Sequence, residues 1–135
     1  MRIRQTTEGD LKSFIPAYHD ILEAEALGIT PSFPEATECV SLVHNEVVLA
    51  IGGNNGDQCW FVTSKFTEGL SRVSKLRFRR VIMEYRNWLL RRYPTLWNYV
   101  WVGNEPHIRF LKSIGAEFHE DYTLDNQFQL FTIRR

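Results

Sequence analysis

Cysteine is almost absent from this chain. Among 135 residues only Cys39 and Cys59 occur, both in apolar, strand-like runs and without the CxxC spacing of a zinc or redox site. They offer no disulfide framework, and the expectation is two reduced core thiols in an intracellular protein. Histidines are few as well. His19, His44, His107 and His119 are scattered, show no ligand spacing, and give no reason to expect a metal. Nowhere do about 18 apolar residues run together, so no membrane-spanning helix is expected. The opening MRIRQTTEGD has no apolar stretch of the kind a secretory leader carries. Net charge is missing too, with 16 Lys and Arg against 16 Asp and Glu.

What is present is apolar and aromatic. Hydrophobic residues make up 44% of the chain and aromatics 13%, enough at this length for one domain over residues 1–135 with a proper core. The balanced charge is unevenly spread. Residues 8–38 hold the acids Glu8, Asp10, Asp20, Glu23, Glu25, Glu35 and Glu38 against Lys12 alone. Residues 72–92 hold the bases Arg72, Lys75, Arg77, Arg79, Arg80, Arg86, Arg91 and Arg92 against Glu84 alone. Such asymmetry marks either a nucleic-acid or phosphate surface, or two opposite faces lying near each other in the fold. Helical spacing puts Arg72, Lys75 and Arg79 on one side but Arg77 and Arg80 elsewhere, so no single basic stripe forms. The bases are expected to pair with acids or face water, and nucleic acid is not an expected partner.

Periodicity places the elements. RIRQ reads as a short strand. TEGD after it reads as a capping box, with Thr7 as N-cap and Asp10 three residues on. Pro16 divides the helical pattern that follows, because it fixes φ and has no N–H; the second piece spans about Ala17 to Leu27, stopped by Gly28. ITPSFPEAT is a loop. CVSLVH and VVLAIGG flank Asn45-Glu46 as a hairpin, and GNNGD turns the chain into QCWFVT. From about Ser71 to Tyr93 the residues Phe78, Val81, Ile82, Tyr85, Trp88 and Leu89 form a helical apolar stripe. TLWNYVWVG is a strand expected to be buried on both faces. A short helix over 106–114 follows, and AEFHEDYTL and QFQLFTIRR form a hairpin around Asp125-Asn126.

The order is β-αα-β-β-β-α-β-α-β-β. The long helix between QCWFVT and TLWNYVWVG makes those two strands parallel through a right-handed crossover, whereas the other neighbours are mostly antiparallel. The fold class is therefore mixed α+β. Within it, VWVGNEPHIRFLKSIGAEF (residues 100–118) carries a strand, an asparagine at a helix mouth, a short helix, a glycine stop and another strand. This arrangement resembles the GNAT acetyltransferases. The resemblance implies two central parallel strands that splay apart, with acyl-CoA in the gap. It puts Val62, Thr63 and Asn104 at the mouth and Arg72, Lys75 and Arg77 at the pyrophosphate end. Asn104 there has three open uses: capping the helix, binding a ligand's amides, or tying two elements together.

The resemblance also has gaps. GNAT enzymes hold the pyrophosphate on an Arg/Gln-x-x-Gly-x-Gly/Ala loop, whose backbone N–H groups and helix N-terminus face the anion. Here the register from Arg72 puts Lys75 and Arg77 in the glycine positions. The family often has a tyrosine seven residues after the asparagine, as the acid for the leaving thiolate; here that position is Leu111, next to Phe110. Neither central strand offers a carboxylate base, and nothing in the sequence points to Tyr99 or Tyr122 as a substitute.

A second resemblance covers nearly the whole chain. HDILEAEALGITPSFPEATECV, LAIGGNNGDQCWFVTS, IMEYRNWLLRRYPTLWNYVWVGN and HIRFLKSIGAEFHEDYTLDNQFQLFTI are similar to the small internal virion (morphogenesis) proteins of phage T7 and its relatives. That implies a late product for virion assembly, associated with internal core or other virion proteins, on a GNAT-like scaffold without catalysis. It would act in the host cytoplasm during assembly or in the virion, with no resident cofactor. Two further readings stay open: an active N-acetyltransferase using acetyl-CoA, and a DNA-contacting protein. Exposed aromatics of the final hairpin or the acidic helix 17–27 are candidate contact surfaces.

Overall fold

The computed structural model describes residues 1–28 and 32–135. Seven strands and four helices follow in the expected order: β1 (Arg2–Gln5), α1 (Glu8–Ser13), α2 (Tyr18–Ala26), β2 (Val40–His44), β3 (Val47–Asn55), β4 (Gln58–Thr63), α3 (Arg72–Leu90), β5 (Thr95–Trp101), α4 (Glu105–Ser113), β6 (Glu117–Leu124) and β7 (Phe128–Arg134). Two 3-10 turns, Ala36–Glu38 and Lys65–Gly69, are additional. Part of the loop expected over ITPSFPEAT, at 29–31, lies outside the described residues. One sheet runs in the order β1-β2-β3-β4-β5-β7-β6. Every neighbouring pair is antiparallel except β4 and β5, so the fold is the expected mixed α+β sheet.

The capping box forms as the sequence predicts. Thr7 Oγ1 accepts from the Asp10 N–H and Asp10 Oδ2 accepts from the Thr7 N–H. Arg4 and Ser41 also bond the Asp10 carboxylate, which fixes α1 to β1 and β2. Pro16 ends the first helical piece. The chain there becomes extended, with Pro16 bridged to Ser64 and the Ala17 N–H donated to the Thr63 carbonyl over 2.8 Å. The bend between α1 and α2 is thereby moored to the end of β4, and this aims α2 at the middle of the sheet.

Two-residue turns set the strand registers. Asn45 and Glu46 have φ of 50° and 64°, the pair of left-handed residues that matches the twist of a hairpin. The β3–β4 turn is tighter than GNNGD predicts. Asn54 and Asn55 stay in β3, paired with Cys59 and Gln58, and only Gly56, at φ +61°, and Asp57 turn the chain.

α3 lies diagonally across the sheet. Near its start Phe78 packs with Leu42, Leu49 and Ala50; near its end Leu89 and Leu90 pack with Leu96, Val100, Leu111 and Phe131. Three expectations need correction here. Trp88 is 47% exposed, because Leu89 and Leu90 together take the core face of the last turn. The helix ends at Leu90, before Tyr93, since Pro94 forces an extended lead-in and Arg91-Arg92 already form a turn. β5 is not buried on both faces. Leu96 and Val100 are buried, whereas Trp97, Tyr99 and Trp101 on the other face are only half covered.

Candidate functional site

The two parallel strands barely pair. β4 and β5 share one position, Gln58 opposite Trp97, at the start of both strands. Asn98 holds this junction closed: its Nδ2 donates to the Cys59 carbonyl over 2.8 Å and its Oδ1 accepts from Gln58 Nε2 at 3.3 Å. Beyond it the strands diverge, and their facing backbone groups lose a sheet partner.

Those groups are taken by α2. Asp20 and Glu23 sit three residues apart and so project from one face of the helix. Asp20 Oδ2 accepts from both the N–H and the hydroxyl of Thr63, at 2.9 and 3.0 Å, at the end of β4. Glu23 Oε1 accepts from the Trp101 N–H at 2.7 Å, at the end of β5. Asn104 completes the cluster. It is the N-cap residue of α4, yet its side chain makes no cap. It is 1% exposed, and its Nδ2 donates to Asp20 Oδ1 over 2.9 Å. Of its three possible uses, the structure shows it tying α4 to α2. One carboxylate thus joins the end of β4 to the helix that follows β5.

Burial shapes the titration of this mouth. It pushes the Glu23 carboxyl up to about 7; the neighbouring Asp20 adds to this, and the bonds from Trp101 and Asn104 oppose it. One turn into α4, His107 stacks on Phe61 with ring centroids 4.6 Å apart. Its burial holds it below the usual histidine range, against the opposing pull of Asp20. Beneath α3, and reaching the splay, lies a cavity of about 140 Å³, lined among others by Leu42, Ala50, Phe61, Tyr85, Tyr99 and Glu23. That is well under the roughly 300–1,000 Å³ of ordinary small-molecule pockets.

Of the residues picked out in the sequence, Thr63 and Asn104 meet through Asp20. Val62 is half-buried beside them in β4, opposite Ile51 of β3. Arg72, Lys75 and Arg77 are exposed on the first turns of α3, and among the described residues no hydrogen bond or ion pair joins them to the mouth. The helix start is satisfied from within, Ser71 Oγ accepting from the Ser74 N–H at 3.2 Å. Leu111, in the tyrosine position, is buried in the core, and Phe110 packs edge-on against both Phe61 and Phe78. Asp20, Glu23 and His107 are the members of the cluster that sequence reasoning missed. The first two were visible only as part of an acidic stretch; their three-residue spacing puts them on one helix face, and nothing in the sequence says that this face turns inward.

The bases of α3 depart from expectation too. Among the described residues the ion pairs are Arg4–Asp10 and Arg134–Glu117, and neither joins the acidic stretch to the basic one. Arg79 and Arg86 do not pair with acids. They donate to the Ser113 and Ile114 carbonyls at the end of α4.

Comparison with solved structures places the fold. The chain resembles an acetyltransferase from Agrobacterium tumefaciens with a TM-score of 0.66 and 15% identity, covering 98% of this chain and 90% of that one. It resembles a ribosomal-protein-alanine N-acetyltransferase from Brucella melitensis with a TM-score of 0.60 and 11% identity over 100% of both chains. A spermidine N-acetyltransferase from Vibrio cholerae gives 0.62 and 10%, over 99% and 95%. At these identities the likeness is one of fold: the sheet is that of the GNAT acetyltransferases.

Sequence relatives are closer. Residues 38–123 match the family described as "Bacteriophage T7, probable scaffold protein Gp13". The "Probable scaffold protein gp13" of Escherichia phage T7 is 63% identical over 135 residues, all of this chain and 98% of that protein. The chain therefore belongs to the phage T7 probable scaffold protein Gp13 family, carried on an acetyltransferase fold.

Proposed function

We infer that this chain serves virion assembly through its surfaces and not through acyl transfer, contacting internal core or other virion proteins in the host cytoplasm while particles form. Family membership supports the assembly role. The observation that carries the absence of catalysis is the double latch of Asp20 and Glu23 across the splay. A ligand lying between β4 and β5 would have to displace both carboxylates from the Thr63 and Trp101 N–H groups. The buried Asp20 carboxylate left without its partners costs several kcal/mol, on the order of the whole affinity of a modest ligand, and Glu23 loses its bond from Trp101 as well. The same latch supports the reading of a chain that works without a resident cofactor.

One observation favours a second reading, an acetyl-CoA-dependent transferase. Glu23, pushed up to about 7, lines the same cavity as Tyr85 and Tyr99, and a carboxylate near neutrality and a phenol are a base and an acid in kind. Against it, the Glu23 carboxylate is held by Trp101 and the cavity is small.

Complementation separates the two. A phage lacking this gene should yield few infectious particles, and the wild-type chain supplied in trans should restore them. Glu23→Gln keeps the acceptor oxygen for Trp101 but cannot act as a base, and it should restore them equally. Normal yields without the chain would overturn the assembly role. A folded Glu23→Gln chain that fails to complement would overturn the absence of catalysis.

A further inference from the structure

Two exposed faces of opposite charge flank the mouth of the splay, each with apolar residues at its centre. The first is the outer face of the N-terminal half of α3. Val73 and Leu76 are 61% and 63% exposed there, and the helical repeat places Arg77 and Arg80 beside them, opposite the buried Phe78 and the half-buried Ile82. Arg72 borders the face. Among the described residues none of these three arginines has an acidic partner within ion-pair distance. The second is the far half of β6 and its turn. Tyr122 and Leu124 are 62% and 49% exposed, between Glu120, Asp121 and Asp125, which are exposed as well. β6 is the last strand of the sheet, and its register shifts between His119 and Thr123. Residues 120–122 are left unpaired with β7, free to face outward. Charges and a bulge commonly guard an edge strand against sticking, but a guarded edge has no reason to hold a tyrosine and a leucine out in water.

The two faces cannot meet within one chain, because β5 and β7 stand between β4 and β6. They do lie at the same end of the sheet. α3 begins where β4 has ended, and the β6–β7 turn adjoins the end of β5, since Trp101 pairs with Phe128. We propose that the basic, Val73–Leu76 face of α3 docks on the acidic, Tyr122–Leu124 tip of β6 in a second copy of this chain. Faces at one end of the molecule allow a two-fold arrangement in which each chain gives both, so the contact closes as a dimer. Apolar residues at the centre with complementary charges at the rim are the anatomy of a specific interface. The inference stands apart from the assembly reading, which would survive its failure.

Sedimentation of the purified full chain tests it, with Arg77→Glu and Asp121→Arg as single variants. Both positions are exposed, so the substitutions should leave the fold as stable, as melting curves would verify. The wild type should sediment at the mass of two chains at low salt and shift toward one as salt screens the rim. Each variant alone should sediment as one chain, because like charges then face each other in both contacts. An equimolar mixture should return to two chains. In one contact the Arg77→Glu helix face meets the Asp121→Arg strand tip, with the charges exchanged, and in the other the native Arg77 meets the native Asp121. A wild type that stays at one-chain mass at every concentration and salt would overturn the proposal and leave these faces to another virion protein or a lipid surface. A mixture that stays at one-chain mass would overturn it as well.

Discussion

Asn104 caps a helix by position and serves another by contact: it stands at the start of α4, and its Nδ2 reaches Asp20 of α2 over 2.9 Å. Asp20 is also the acceptor for Thr63 at the end of β4, so α2, β4 and α4 share one buried carboxylate. Asn104→Ala removes a donor and leaves Asp20 partly unsatisfied. The expected loss is about 1–3 kcal/mol of stability, and Asn104→Asp should lose more, because it sets two carboxylates against each other. Urea denaturation reads both, as a lower midpoint with an unchanged slope.

Glu23 makes stability depend on pH in a direction unusual for a carboxylate. Its folded value of about 7 lies above the ordinary 4.5, so the folded state binds the proton more tightly. That contribution is fully present below about 4.5 and is lost as pH rises through 7. Glu23→Gln should remove the loss and raise stability at pH 8 by up to about 3 kcal/mol. Two groups act the other way. The bond from Arg4 holds Asp10 well below the usual carboxylate range, so its contribution is present above the ordinary value and lost in acid. His107, held low by burial, opposes folding once the unfolded chain takes up its proton below about 6.5. The difference between wild-type and Glu23→Gln melting curves across pH 4 to 8 isolates the glutamate.

Arg86 is a helix cap drawn from another helix. It donates to the Ile114 carbonyl, one of the groups that the end of α4 leaves without an intrahelical partner. The adjoining Gly115 turns at φ +97°, a conformation that glycine adopts without strain. Arg86→Ala should cost about 1.5–3 kcal/mol, the range for a hydrogen bond from a charged group. Arg86→Lys should recover part of it. Thermal melts of the two variants check the order.

The scaffold was legible in the sequence because its signals are local. Thr7 and Asp10 spelled the capping box, Pro16 broke the helical pattern, and a long helical stripe between two strands required a parallel crossover. The GNAT resemblance pointed to Asn104 as a residue of the mouth. What it does there was not legible, because its partner Asp20 is 84 residues away and no local pattern links them. The same holds for Glu23 and Trp101. An acidic stretch looks like a solvated face until the fold shows that two of its members turn inward. Arg79 and Arg86 of α3 were misread for the same reason: their acceptors are backbone carbonyls at the end of α4, and side-chain pattern says nothing about carbonyls.

Whether the splay accepts acyl-CoA is read most directly from the melting temperature of the full chain with and without saturating CoA or acetyl-CoA. A ligand at 100 times its Kd stabilises a folded protein by about 2.7 kcal/mol, a rise of about 10 °C for a domain of this size. With Asp20 and Glu23 latched across the gap, neither compound should move the transition. A rise of that size, abolished by Asn104→Ala in a chain that still melts cooperatively, would contradict the latch and restore the splay as a cofactor site.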